Sequence, residues 1–481
     1  MGRKRLRHAQ RRDRFLELPD GIVSTIISML PLREAVRTSV ISKRWRYMWT
    51  CHSDLKFDFV NVLWSRAHHR NAQESQSKRQ VQRRRFVERV DMIMHQRCLG
   101  PKINSLTVHF HLGKEFSSHI DHWISCGVMK GVESLDLDLS ECTSFRKNGV
   151  SSNAFERYEF HSSVLTPPAR GRCNLKHLRL NSCTFAAPLS SNYLNSLITV
   201  ELQRVCIDDE MLKDLLSNCL LLKKLSLHFC QDLFNLKFLN ANHQLQFLNI
   251  KDCLRLNEIE ISSENLMRLE YTGPSISFSF KRVCKLAEVY LNYTRANRTG
   301  GATYALTQLP REVPQLEKLN LLSILSMKAL ELPDNGPVFT NVKQLFMTIY
   351  PFVDEDKLSW IAYILRTFPE LQKLQLNLFS PSFIKQPKDI ERTLPECPHN
   401  NLTELEINGF YGNRHEVELL TYLLENTISL SKLLVGTSQK AFKGFDNWEY
   451  EESCSFYESR MKRVSDWLRQ VIPDTVLLEV R

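Results

Sequence analysis

The pattern L-x-x-L-x-L recurs along this chain, and it limits the fold more than any other feature. Clear copies begin at Leu175, Leu197, Leu222, Leu245, Leu266, Leu286, Leu316, Val342, Leu371 and Leu402, with weaker ones at Ile103 and Val132. From Leu175 the starts are 22, 25, 23, 21 and 20 residues apart, then 30, 26, 29 and 31. One copy means little. Twelve in succession require a short unit stacked on itself, because no single unit can bury its own apolar side. In each copy the first residue and those at +3 and +5 point inward from a strand and its entry turn. The residues at +2 and +4 point outward. Cys183, Cys230 and Cys253 fall at +8, where the chain turns and a small side chain must satisfy backbone groups, so they read as core fixtures rather than nucleophiles. Helical stretches lie between the strands, such as residues 208–219 with Asp208 or Asp209 as cap, and residues 357–368. The predicted class is α/β: a solenoid with a parallel sheet on its concave face and irregular helices outside.

A period of 20–29 with this core is the leucine-rich-repeat signature. Ahead of the array, Phe15 to Trp49 reads as three short helices. Ile22, Val23, Ile26, Ile27, Met29 and Leu30 recur at helical spacing, and Pro31 stops the first helix. Leu32, Ala35, Val36 and Val40 mark a second. Ser42 caps a third, with Trp45 and Trp49 on one face. Some 35 residues in three helices hold more apolar side chains than so small a unit can bury. Part of that surface must dock elsewhere.

This stretch resembles the F-box. Leu18-Pro19-Asp20, Pro31-Leu32, the run Ala35 to Val40, and Ser42-Lys43-Arg44-Trp45-Arg46 all match the family, with Ile41 standing where Leu is usual. The resemblance implies binding to a Skp-type adaptor and, through it, to a cullin–RING ubiquitin ligase. The residues expected to serve that contact are Leu18, Pro19, Ile22, Ile26, Leu32, Val36, Val40 and Trp45.

Residues 395–435 resemble the FBD domain of plant F-box proteins through Pro395, Cys397, Leu402, Leu405, Ile407, Gly409, Phe410, Gly412, Glu416, Tyr422, Leu423, Leu424 and Leu430. The stretch departs at Pro398 and in an acidic aromatic insertion, FDNWEYEESCSFYES. It reads as one more strand, a turn, a helix from Glu416 and a final strand Lys432–Val435. A last helix is striped by Met461, Val464, Trp467, Leu468 and Val471. Such a unit would close the open end of a solenoid. The order of segments is similar to that of the plant F-box/LRR/FBD family. The expected division is a basic disordered tail 1–13, F-box 14–60, basic linker 61–85, helix and repeats 86–394, and FBD-like cap 395–481.

Charge is unevenly placed. Residues 1–100 hold 22 Lys and Arg against 9 Asp and Glu, whereas the other 381 hold 42 against 44. The repeats are therefore near neutral and do not read as a nucleic-acid surface. The basic runs at 1–14 and 78–85 leave a nucleic-acid-associated protein as a minor alternative. The tail reads equally as a nuclear address, so the expected location is nucleus and/or cytoplasm. No run of 18 apolar residues exists. Thirteen cysteines with no CxxC pair suggest reduced, buried thiols.

No GxSxG, Walker loop or HExxH occurs, so no catalytic, cofactor-binding or metal-binding residue is expected and no cofactor is needed. The expected function is a non-enzymatic substrate receptor of an SCF-type ligase. The rival is an F-box/LRR scaffold that never joins a cullin. Target contacts are expected from exposed +2 and +4 positions: His177, Arg179, Lys224, Phe247, Tyr290 and Phe346.

Overall fold

The structure is a computed structural model. It describes residues 18–41, 45–63, 76–98, 100–141, 157–166, 173–186, 194–238, 244–293, 298–325, 336–349, 359–379, 395–444, 447–450, 458–473 and 475–481. The basic tail 1–13, Ser42 and residues 64–75 of the expected linker lie outside them. Two compact units are present, Met1–Leu197 and Ile198–Arg481.

In the first unit, helices Asp20–Ser28 and Leu32–Arg37 are followed by two 3-10 turns, Thr38–Val40 and Trp45–Cys51. The third predicted helix is thus 3-10 over its described part, and Trp45 and Trp49 are both buried although 3-10 geometry does not stack residues four apart on one face. Strand Asp54–Asp58 comes next, alternating as its sequence does. It pairs in parallel with Ser105–His109, then Ser134–Asp138, then His177–Asn181. Leu55, Leu106, Leu135 and Leu178 stand in one row and Phe57, Val108, Leu137 and Leu180 in another. They include the inward positions of the weak repeats at Ile103 and Val132 and of the clear one at Leu175, and all are buried.

The expected linker 61–85 needs correction. Helix Phe59–Leu63 begins it, and residues 76–85 form the first turns of helix Gln76–Cys98. Those turns lack an apolar stripe, so sequence periodicity is silent there. Tertiary pairing holds them instead: Arg79 meets Glu141, and Arg83 donates to the His111 carbonyl at 3.2 Å while its other nitrogen lies 2.7 Å from His111 Nδ1. Farther along, Phe86 stacks on Phe110 at 4.1 Å. Asp91 accepts from Trp123 and pairs with His119 on helix Ser117–Met129. The reading of every cysteine as a free thiol is also corrected: Cys98 and Cys126 are joined by a disulfide between these same two helices.

The second unit carries eleven parallel strands, from Thr199–Gln203 through Lys432–Gly436 to Leu477–Val480. The +3 residues align without a slip as Val200, Leu225, Leu248, Leu269, Val289, Leu319, Leu345, Leu374, Leu405 and Leu433. None is more than 1% exposed. Adding or removing one residue in a strand would send that row to the solvent side, which is why the register is strict.

Each early repeat leaves its strand through a left-handed residue at +7: Arg204, Phe229 and Asp252 have φ of 51°, 57° and 54°. Such a conformation costs a non-glycine residue about 1 kcal/mol. In return, the amides of these three residues donate to His228, Lys251 and Thr272, extending the ladder by one bond per repeat. At +8, Cys230 and Cys253 turn their thiols to the carbonyls of Leu202 and Leu227, each at 3.6 Å. That is the turn-fixing role their spacing predicts.

The outer layer is not helical throughout. Helices cover the longer repeats, at Asp209–Asn218, Arg298–Thr307, Ser359–Thr367 and Arg414–Asn426. In the shortest repeats the return path is a strand, and Asn235–Phe238, Glu258–Ser262 and Ser277–Lys281 form a second parallel sheet. Once the strand and its two turns are built, a repeat of 20 to 23 residues leaves too little chain for a useful helix. The final strand also lies later than expected. After Lys432–Gly436 the chain forms a hairpin, Lys440–Gly444 with Asn447–Tyr450. It then runs through helix Glu458–Val471 and adds Leu477–Val480 to the sheet.

Candidate functional site

Two kinds of surface stand out: the outside of the helical module in the first unit, and the inner strand face that each unit carries. In the first, helix Asp20–Ser28 is apolar on two sides. Val23 and Ile27 face inward with Ala35, Trp45 and Trp49, and all five are buried. Ile22, Ile26 and Met29, one step round the helix, remain exposed. Val40 and Ile41 add to the exposed apolar set at 87% and 54% exposure. Of the expected adaptor contacts, Pro19, Ile22, Ile26 and Val40 are exposed, and Leu18 and Val36 are half-buried. Leu32 and Trp45 are corrected: they lie inside the three-helix module, at 7% and 5% exposure. A Trp beside a second Trp four residues on is large enough to be the module's own core. Met29 and Ile41 were absent from the expected set. Their signal was the helical stripe itself, which is wider than one buried face needs.

Polar groups reaching backbone carbonyls brace the module internally, and one of them, Arg97, ties it to the rest of its unit. His52 Nε2 lies 2.7 Å from the Ile27 carbonyl. Arg97, fully buried, donates to the carbonyls of Thr50 and Lys102. The Cys51 thiol points at the Ser24 carbonyl, 3.6 Å away.

The second surface is the inner face of the repeat sheet. In the first unit, His177 is exposed, and Arg179 binds Asp136 at 3.3 Å, which also takes His109 at 2.9 Å. Burial opposes ionisation of Asp136, but its interactions with His109 and Arg179 outweigh it and hold its pKa below the usual value. In the second unit, Lys224 and Phe247 are register partners. Lys224 pairs with Glu201 at 3.0 Å and lies 5.7 Å from the Phe247 ring centre, and Arg268 approaches that ring to 5.6 Å. Arg268 also binds Glu270 at 2.6 Å and stands 4.3 Å over Tyr290.

Tyr290 and Phe346 are on this face, as expected, yet they are not exposed. Each is 1% accessible. The C-terminal hairpin covers them: Phe442 stacks on Tyr290 at 4.8 Å, and Trp448 meets Phe346 at 4.7 Å. Lys440 reaches Glu406 at 3.0 Å, and Tyr450 donates to the same carboxylate at 3.3 Å. Burial opposes ionisation of Glu406, but donors from Asn408, Lys440 and Gln375 overcome it and depress its pKa. The main chain adds two bonds, with Asn377 Nδ2 donating to the Lys440 carbonyl at 2.7 Å and the Lys440 amide donating back to Asn377 Oδ1 at 3.1 Å. Four residues of the acidic aromatic insertion, Asn447–Tyr450, thus form the second strand of a hairpin that covers the inner face. The alternation K-A-F-K-G…N-W-E-Y around a glycine was the available signal.

Among the described residues, no group of three or more His, Cys, Asp or Glu is placed to hold a metal ion, and no helix is long and apolar enough to cross a membrane. Arg79 and Arg83, from the basic run 78–85, are engaged with Glu141 and His111.

This geometry agrees with what known proteins show. The family model described as the At1g61320/AtMIF1 LRR domain matches residues 93–481, and the F-box domain model matches residues 15–56. The chain belongs to the plant F-box/LRR-repeat family. One F-box/FBD/LRR-repeat protein of Arabidopsis thaliana is 24% identical over 442 residues, covering 89% of this chain and 91% of the relative. Another is 25% identical over 456 residues, covering 91% and 92%. An F-box/LRR-repeat protein of the same plant is 25% identical over 379 residues, covering 76% and 70%. The F-box match ends inside strand Asp54–Asp58, so this F-box/LRR-repeat chain passes directly from its F-box into its sheet.

Proposed function

We propose that this F-box/LRR-repeat protein is the substrate-recognition subunit of an SCF-type ubiquitin ligase. The observation that carries the reading is the solvent-facing apolar set Ile22, Ile26, Met29, Val40 and Ile41 on a module whose interior is already filled. A patch of this kind on a small helical module marks a partner surface. A Skp-type adaptor fills it and brings cullin and RING subunits. Protein-target contacts come from strand positions that include His177 and Arg179 in the first unit and Lys224 and Phe247 in the second. The chain acts by proximity, holding the target's lysines near the charged enzyme, and contributes no reacting group. It works in the nucleus and/or cytoplasm.

The test is a quantitative adaptor pull-down with Ile22→Ala/Ile26→Ala. Both side chains are exposed, so the fold is expected to survive. Binding is expected to weaken by about 2 kcal/mol or more, roughly thirtyfold. Unchanged binding would remove this face from the contact. Adaptor capture without cullin co-purification would instead favour the scaffold reading.

A further inference from the structure

We propose that the hairpin Lys440–Tyr450 is a built-in occupant of the target groove, and that a target displaces it. This deepens the receptor reading above and rests on it. The hairpin places one aromatic ring on Tyr290, a second on Phe346, and an ammonium on Glu406. Tyr290, Asn320 and Phe346 are successive register partners on neighbouring strands, and Glu406 follows beyond Gln375. The groove therefore selects a segment with two aromatic side chains and a basic residue, and the expected partner is a protein segment with that composition.

Three features make the hairpin removable. It has only two strands, which are marginal on their own. Its outer side faces solvent: Phe442 and Trp448 are half-buried, while the rings beneath them are fully buried. Its fit is also imperfect. Among the described residues, the side-chain nitrogen of Asn320, between the two covered rings, is buried with no hydrogen-bond partner. An unmet buried donor disfavours the closed state, and a target offering a carbonyl there would satisfy it. Elements with few buried contacts of their own occupy the low-stability end of a fold and open without global unfolding.

The test uses the full chain and a fluorescein-labelled synthetic peptide of residues 438–450. In Phe442→Ala/Trp448→Ala the internal competitor is weakened, and the peptide is expected to bind on the order of a hundredfold tighter than to wild type. Adding Glu406→Gln to that variant is expected to remove the gain. Equal binding to both chains, or none to the opened variant, overturns the proposal. If the double variant does not fold, hydrogen exchange on wild type decides. Hairpin amides Lys440–Gly444 are expected to exchange at least tenfold faster than those of Glu404–Asn408, and a shared rate overturns the proposal. Adaptor capture by the Ile22 face is read independently, so failure here and failure of the receptor reading are distinguishable.

Discussion

At Gly409 the backbone runs at φ +70°, at the +7 position of its repeat, and an added Cβ would meet the Leu378 carbonyl oxygen. The earlier repeats tolerate Arg, Phe and Asp in this conformation because their turns have room. Here the preceding repeat is too close. Gly409→Ala is expected to destabilise the second unit by about 2 kcal/mol or more, read as a lower denaturant midpoint at unchanged m-value. His111 carries a pH prediction in the first unit. Burial, reinforced by the Arg83 guanidinium and despite nearby Glu141, pushes its pKa down to about 4. The unfolded chain, with an ordinary histidine, binds the extra proton from about pH 6.5 downward. Stability is therefore fully present above that pH and is lost as pH falls toward 4, by on the order of 2 kcal/mol. His111→Asn keeps an acceptor for Arg83 but not the titration. Urea melts between pH 7 and 4 should show a shallower decline for the variant, and identical slopes would rule this origin out.

Among the elements, those that repeat were legible and those that reach across the chain were not. The inner rows from Leu175 to Ile407 were readable because a strict register preserves the spacing of their leucines. Helix Arg414–Asn426 was readable from its stripe, and its Asn413–Glu416 capping box fixes the start two residues earlier than the stripe suggests. The outer strands were missed because a four- or five-residue return carries little periodic signal. The exposed reading of Tyr290 and Phe346 failed for another reason. Position within a repeat fixes which face a side chain is on, but not what else folds onto that face. The covering rings come from more than a hundred residues away in sequence. On the adaptor side, sequence separated helix from loop but could not tell which of two adjoining stripes was the module's core. Leu32 and Trp45 were assigned outward on that account.

For the molecule as a whole, the C-terminal segment is both cover and closure. Strand Leu477–Val480 pairs with Lys432–Gly436, and the hairpin lies on the inner face. Deleting residues 437–481 would move the open edge from the short strand Leu477–Val480 to Lys432–Gly436 and uncover Tyr290 and Phe346 on the same sheet. Such an edge templates pairing with other chains. The deleted chain is expected to self-associate in light scattering at concentrations where the full chain does not, and a monodisperse truncated chain would assign closure to another element. In the first unit, Arg97 joins the three-helix module to the following helix through the carbonyl of Thr50, while His52 braces the module internally at the carbonyl of Ile27. Carbonyl anchors do not depend on which side chains the module carries. The consequence is mechanical. Whatever docks on Ile22 and Ile26 is then oriented by the body of its unit, and a change at Arg97 would alter its bearing before its grip.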